Sequence, residues 1–460
     1  MSVPEPTAGV AVKPTPMNGG YAWAVLVMLT AAYTVSFIDR QVLNLLIDPI
    51  KMDLGATDTQ MSLLQGLAFI IAYIAFIPIF GRLADTRNRR NLVVFGVVTW
   101  SAFTILCGFS TNLETLFFGR AGVGAAEAAL GPAAWSIISD YFTKEKLPRA
   151  MSVFLMGPYL GGGLALIFGG LVIGSATVLS QTVPALSNFS AWQLTFIFVG
   201  APGIVLGLAM LIMREPPRQA AAGAALDDRQ FSLGEAAAFI WQRRAFYLRF
   251  FAAMALVTVV LYALPAWMPS VLIRNYGANA ASVGLVFGAL VLLMGSLGVL
   301  SGPVVGALIR KRGHKSSVII CVVIAALALV PITAMIPFAP NYATIMAVAA
   351  AATFFYSFPQ AMSASALQVA TPNRMRGVVT SIYTFILSGF GLGVAPTLVA
   401  LLTDFVFRDP AHVNQSLAIV CAVSAALAAW LGWGALPHFR KALEAEEAET
   451  ARLAAEQASA

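Results

Sequence analysis

Charge is what this sequence has least of. Asp, Glu, Lys and Arg make up 11% of its 460 residues, against roughly 25% in soluble domains. With 59% hydrophobic residues and a mean hydropathy of +0.81, the chain cannot cover itself in water with polar surface. That excludes a soluble enzyme or a free-standing soluble binding module. Cysteine is scarce as well: Cys107, Cys321 and Cys421 all fall in apolar runs. A disulfide framework is excluded, and they read as small packing residues. Histidine is limited to His314, His412 and His438, all outside the predicted spans. There is no Walker A loop, no His-Glu-x-x-His and no nucleophile paired with a His inside a span. The run Gly389-Phe390-Gly391-Leu392-Gly393 lies inside an apolar stretch and not after a strand, so it is not a nucleotide loop. No enzyme, ATP-driven pump, cofactor or metal site is therefore expected, and no soluble output domain of a receptor is present.

What the chain does have is apolar runs of about 20 residues, the length that crosses a bilayer core as a helix. Twelve such spans are predicted near 21–47, 59–81, 91–110, 113–139, 149–176, 191–213, 245–272, 282–309, 316–337, 342–366, 377–404 and 414–436. Residues 1–20 lack the pattern of a cleaved signal. The fold class expected is an all-α polytopic membrane protein.

Lys and Arg set the orientation. If the N-terminus is cytoplasmic, most of the 28 basic residues fall on the inside, in clusters such as Arg87, Arg89, Arg90 and Arg310, Lys311, Arg312. The outside loops hold only Lys51, Arg274 and Arg408. Both termini are then cytoplasmic. The net charge of +7 is a topology signal and gives no reason to invoke nucleic acid. The expected partners are the lipid bilayer, a small-molecule substrate and protons, with the protein acting as a monomer.

The chain divides into a tail (1–20), a first group of six spans (21–213), an inside loop (214–244), a second group of six (245–436) and a closing tail (437–460). Ser232-Leu233-Gly234-Glu235 reads as a capping box that starts a short amphipathic helix in the loop. The two halves are nearly equal in length and share a repeat. Gly81-Arg82-Leu83 after span 2 matches Gly306-Ala307-Leu308 after span 8 at a spacing of 225, and each is followed by basic residues. Two six-helix bundles related by a pseudo-two-fold axis follow, with a substrate site between them near the midplane.

Charges inside spans are the sharpest functional signal, because each costs about 2.5–3.5 kcal/mol at a helix centre unless paired or wetted. Four are present: Asp39 and Arg40 in span 1, Arg120 and Glu127 in span 4. They sum to zero. Arg120 and Glu127 are seven apart and share a helix face. Asp39 and Arg40 point roughly 100° apart, so one faces the central cavity and the other its own bundle. All four are candidates for substrate binding and coupling. Glu127, and next Asp39, are the candidate proton carriers, since burial and a nearby Arg act on a carboxyl in opposite directions. The second half has no counterpart: the matching positions are Leu264, Pro265, Ile345 and Ala352. It carries aromatics instead, with Tyr262, Trp267, Phe354, Tyr356 and Tyr383 expected to form an apolar cavity wall. A cavity polar on one wall and apolar on the other suits an amphipathic substrate. Gly81, Asp85, Arg89 and Arg376 are expected to form a gate on the inside, with Asp85 pairing across the halves to Arg376. The Gly157 to Gly163 cluster is expected to allow close helix packing.

Several of these segments resemble a known family. Gly81-x-Leu83-x-Asp85-x-Arg87-x-Arg89-Arg90 is similar to the loop signature of the major facilitator superfamily, with Asn88 in place of its usual Gly. Arg120-Ala121-Gly122-Val123-Gly124 resembles the family pattern in span 4, and Gly157-Pro158-Tyr159-Leu160-Gly161-Gly162 its antiporter-type Gly-Pro motif in span 5. Phe37-Ile38-Asp39-Arg40-Gln41-Val42-Leu43-Asn44 and Arg214-Glu215-Pro216-Pro217-Arg218 resemble the spinster branch, which moves lysolipids and sphingosine-1-phosphate. The Trp-Arg pair common before span 6 is Trp192-Gln193 here. The resemblance implies a bacterial inner-membrane transporter working by alternating access, with the charges of spans 1 and 4 lining the cavity. An exporter of drugs or small metabolites, or an uncoupled facilitator or scramblase, is the alternative.

Overall fold

The structure, a computed structural model, describes residues 19–143, 146–217, 233–371 and 375–459. Twelve of its helices are long and apolar enough to cross a membrane. Spans 1 to 6 are Gly19–Leu54, Asp58–Thr86, Arg89–Cys107, Leu113–Tyr141, Arg149–Thr182 and Ala191–Ile212. Spans 7 to 12 are Arg244–Tyr276, Ala280–Lys311, Ser317–Phe338, Tyr342–Ser363, Val378–Phe407 and Pro410–Lys441. Most run several residues past the predicted ends, and span 12 takes in His412 and His438 near its two ends. With an even number of spans, the start of span 1 and the end of span 12 lie on one face, called here the terminal face; the opposite one is the far face.

In the first half spans 1, 4 and 5 are each broken, and the breaks in spans 1 and 4 fall at the charges. Span 4 splits into Leu113–Glu127 and Leu130–Tyr141. Pro132 has no N–H to give to the Ala128 carbonyl, which weakens the helix at this break. Span 1 splits into Gly19–Gln41 and Leu43–Leu54, where the Leu45 amide reaches back only three residues to the Val42 carbonyl. Among the further irregularities are three π-turns: Leu402–Phe407 closes span 11, and the other two are Leu63–Leu67 in span 2 and Gly389–Val394 in span 11. These last two pack against one another across the two halves.

Between spans 6 and 7 a short helix, Leu233–Gln242, packs its Ala236 and Ile240 into the second half. Ser232, the expected cap, lies outside the described residues. The closing tail is helical and continuous with span 12, to Ser459.

Apolar packing shows which face is closed. Toward the far face a single buried cluster runs through both halves, joining Leu46 and Ile47 of span 1 to Leu264, Trp267 and Phe287 of spans 7 and 8. Toward the terminal face each half has its own. One is built on Val93, Trp100 and Ala133 of the first half. The other is built on Phe246, Phe250 and Ile319 of the second. Polar bonds seal the far face as well. Arg274 of span 7 is bidentate on Asp58 at 2.8 Å and donates its Nε to Asp48 at 2.7 Å. Lys51 also pairs with Asp58. The Thr59 amide and hydroxyl donate to Asp404 of span 11 at 2.6 and 2.7 Å. Lys51 and Arg274 therefore do not stand in loops as solvated topology anchors. They lie in the last turns of helices; the buried Asp58 holds both, and the partly exposed Asp48 holds Arg274.

The glycines of span 5 allow close approach, as expected. A side chain at Gly161 would collide with Phe37, and one at Gly163 with the backbone of Leu292 in the other half. All three cysteines are buried and free.

Candidate functional site

The four charges gather in the first half, on two different sides of span 1. Arg40 donates its Nε to Glu127 Oε2 at 2.8 Å, and its Nη2 pairs with the same oxygen. The Ser36 hydroxyl also donates to that oxygen, at 2.8 Å. Three donors thus converge on one carboxylate oxygen, while Oε1, though buried, has no hydrogen-bond partner. The guanidinium is held between rings, 4.7 Å from the centroid of Phe37, 4.3 Å from Phe69 and 5.5 Å from Tyr73. Such cation–π contacts offset part of the lost hydration of a buried cation. Gly124 makes this arrangement possible: any side chain there would strike the Phe69 carbonyl, so only glycine lets spans 2 and 4 come this close.

Asp39 points the other way, into its own bundle, and is fully buried. Thr104 of span 3 donates to its Oδ2 at 3.3 Å, and Arg120 Nη1 donates to its backbone carbonyl at 3.1 Å. Asp39 Oδ1 and Arg120 Nε and Nη2 have no hydrogen-bond partners. Arg120 and Glu127 share a helix but form no ion pair. The 100° between adjacent helical residues separates the two environments: Arg40 keeps about 15% of its side chain accessible, and Asp39 none.

A cavity of about 390 Å³ lies between the halves. Its first-half wall comes from spans 1 and 5, through Phe37, Gln41, Pro158 and Gly162; the rest comes from spans 7, 8, 10 and 11. Phe37 lines the cavity and lies against the Arg40 guanidinium, so the Arg40–Glu127 pair sits directly behind that wall. Arg120 and Asp39 lie deeper in the bundle.

The aromatic wall expected from the sequence is only partly there. Tyr262 and Tyr356 line the cavity; Trp267, Phe354 and Tyr383 do not. Trp267 is fully buried with its Nε1 donating to the Pro396 carbonyl at 2.9 Å. Tyr383 stacks on Phe250, with centroids 6.0 Å apart, and Phe354 packs on Phe355 and Phe358. Helical periodicity turned these three away from the cavity. Neutral hydrogen-bonding groups stand in the wall instead, among them Gln360, Thr384 and Ser388.

Arg89 departs from its expected place at a gate between the halves. It is buried, pairs with Asp140 and donates its Nε to Glu215 at 2.7 Å. Its Nη2 reaches the Pro216 carbonyl at 2.8 Å. It fastens span 3 to span 4 and to the segment after span 6, all within one half. Gly81 lies in the last turns of span 2. The side chain of Arg376 is outside those described, so its pairing with Asp85 is not seen.

Sequence reading missed Arg274, Asp48 and Asp58. A signal was available: one basic residue and two acidic ones near the ends of facing spans, where a bilayer-exposed charge would be disfavoured.

Two six-helix bundles packed together on the far face, with a cavity between them and a buried ion pair behind one wall of it, define a polytopic membrane protein of the two-bundle type. The sequence profile of the Major Facilitator Superfamily matches residues 29–396: the chain belongs to that superfamily and is a transporter. Among its relatives, an MFS-type efflux pump of Mycolicibacterium smegmatis is 26% identical over 91% of this chain and 94% of its own. The sphingosine-1-phosphate transporter SPNS2 of Danio rerio is 26% identical over 64% of this chain; the match covers 59% of that relative. A probable L-galactonate transporter of Escherichia coli is 25% identical over 91% of this chain and 90% of its own. Of solved structures, a bacterial homologue of the lysosomal transporter spinster, inward-facing and unoccupied, superposes with a TM-score of 0.77 at 22% identity. The match covers 93% of this chain and 98% of that one. Spinster proteins are thus among the relatives, in line with the residues of span 1 that resemble that branch.

Proposed function

We propose that this chain is a proton-coupled secondary transporter that moves an amphipathic anion, of the lysolipid or sphingoid type, across a bacterial inner membrane by alternating access. It acts as a monomer. The terminal face is cytoplasmic in this reading, which agrees with the distribution of Lys and Arg.

The observation that carries the proposal is the Arg40–Glu127 pair behind Phe37. While Glu127 is ionised it neutralises Arg40. A proton on Glu127 removes that hold, and the guanidinium becomes free to take the anionic group of a substrate. Proton and substrate then bind together, so binding tightens as the pH falls. The unpartnered Oε1 of Glu127 is the atom placed to accept the proton. The leucines of the cavity wall, among them Leu166, Leu261 and Leu387, offer an apolar track for a tail. Asp39 and Arg120 set the field behind the pair. Gly81, Asp85 and Arg376 close the terminal face in the alternate state.

A second reading, a small hydroxylated anion or a drug, is favoured by the neutral groups Gln41, Gln360 and Ser388 in the wall. It also agrees with relatives that match almost end to end and are named for efflux and for L-galactonate.

Flux in proteoliposomes tests both. Lysolipids, sphingoid phosphates and sugar acids are offered with and without an acid gradient. Gradient-driven flux of the amphiphiles that is lost in Glu127→Gln and Arg40→Ala supports the proposal. Flux of sugar acids alone moves the substrate to the second reading, and gradient-independent flux in both directions overturns the coupling.

A further inference from the structure

Spans 7 and 12 pack against each other, and at the terminal face their seam carries cations. Arg249 of span 7 lies over Gly434 of span 12. A Cβ on Gly434 would stand 3.5 Å from its Cδ and 3.6 Å from its Nε, so the small residue seats the arginine stem. His438 and Lys441 follow Gly434 at four and seven residues, which places all three on one helix face. His438 is within electrostatic range of both Arg249 and Lys441. No carboxylate pairs with any of the three among the described residues. The hydrogen bond found for the Arg249 side chain runs from Nη1 to the Ala245 carbonyl, at 2.7 Å. The rest of its fork is available.

The surroundings of this seam are apolar and exposed. Trp430 is 71% and Trp433 67% exposed, on the helix face adjoining the stripe, and Leu248 next to Arg249 is 45% exposed. Tryptophans in such positions mark the level of lipid headgroups. A basic pocket between spans at that level, with no carboxylate paired to it among the described residues, fits the phosphodiester of an anionic lipid.

We propose that this seam is a binding site for the headgroup of an anionic phospholipid. Arg249 and Lys441 hold the phosphate, and Trp433 stands at the glycerol level. The site is separate from the central cavity and independent of the transported substrate.

Native mass spectrometry and thermal unfolding of the full chain in neutral detergent, with added phosphatidylglycerol, phosphatidylcholine or inorganic phosphate, test it. Phosphatidylglycerol is expected to bind the wild type and raise its Tm, with phosphatidylcholine much weaker. Removing one of the two charges weakens that binding about fivefold, on the scale of a single Lys or Arg near a membrane surface. Arg249→Gln with Lys441→Gln loses most of it. Arg249→Lys retains most of it, which separates loss of charge from misfolding. As a control, Lys311→Gln with Arg312→Gln, exposed cations at the end of span 8, leaves it unchanged. Equal binding of phosphatidylglycerol to wild type and to the Arg249 and Lys441 double variant overturns the site. An equal Tm rise with inorganic phosphate overturns the lipid as its ligand.

Discussion

The two halves share one design and differ in their interiors. In the first, Asp39, Arg40, Arg120 and Glu127 lie buried or nearly so, at or before breaks in spans 1 and 4. In the second, the corresponding Leu264, Ile345 and Ala352 are fully buried in apolar packing, and the cavity wall they support is neutral. A buried ion network costs desolvation that only good geometry offsets. Here that cost is confined to one half, and the other keeps an apolar interior at the matching positions. The far-face cluster around Arg274 is the exception that crosses between them, and it crosses where the halves are closed.

Four experiments break or sharpen that contrast, in descending order of effect. Arg40→Ala leaves the Glu127 charge buried without its cation, and loss of one partner of such a pair costs about 3–5 kcal/mol. Flux is expected to vanish and the Tm to fall by several degrees; Arg40→Ala with Glu127→Gln regains the Tm without regaining flux. If the single variant transports normally, the charged half is not the working one. Arg274→Gln leaves Asp48 without its cation and Asp58 with Lys51 alone, and costs the far-face-closed state about 3 kcal/mol. Cysteines placed along the far-face seam then become labelled from that side. Unchanged labelling would mean that apolar packing alone keeps the face shut.

Ala352→Glu puts a carboxylate at the second-half equivalent of Glu127 with no arginine to meet it. The cost is about 2.5–3.5 kcal/mol, seen as reduced folded yield. A fully stable Ala352→Glu protein would show that the neutral half tolerates charge, and the asymmetry would lose its physical meaning. Trp267→Phe removes the hydrogen bond to the Pro396 carbonyl, worth about 1 kcal/mol, and shrinks the buried ring that also faces Arg274, with flux retained. Larger losses of flux would bring Trp267 back as a cavity residue.

How far the sequence reached can be judged residue by residue. Apolar runs and their spacing gave the spans, since only a backbone bonded to itself survives in hydrocarbon. The same cost singled out the four interior charges. It did not show which of Asp39 and Arg40 joins Glu127, because a 100° step fixes their separation and not their absolute direction. Aromatic content likewise said nothing about facing: Trp267, Phe354 and Tyr383 are packed away, while Tyr262 and Tyr356 line the cavity. Arg89 read as part of a gate between the halves, yet it is buried on Asp140 and Glu215. Those partners lie about 50 and 126 residues further on, and no local pattern links them.

The sequence by itself determined a membrane-spanning helical chain with its charges in one half, because hydrocarbon penalises each exposed polar group independently of the fold. Only the tertiary structure decided the pairings: Arg40 with Glu127, Arg120 with the Asp39 carbonyl, and Arg274 with two carboxylates of the other half. Such pairs depend on distance and direction between helices far apart in the chain, and those are set by packing.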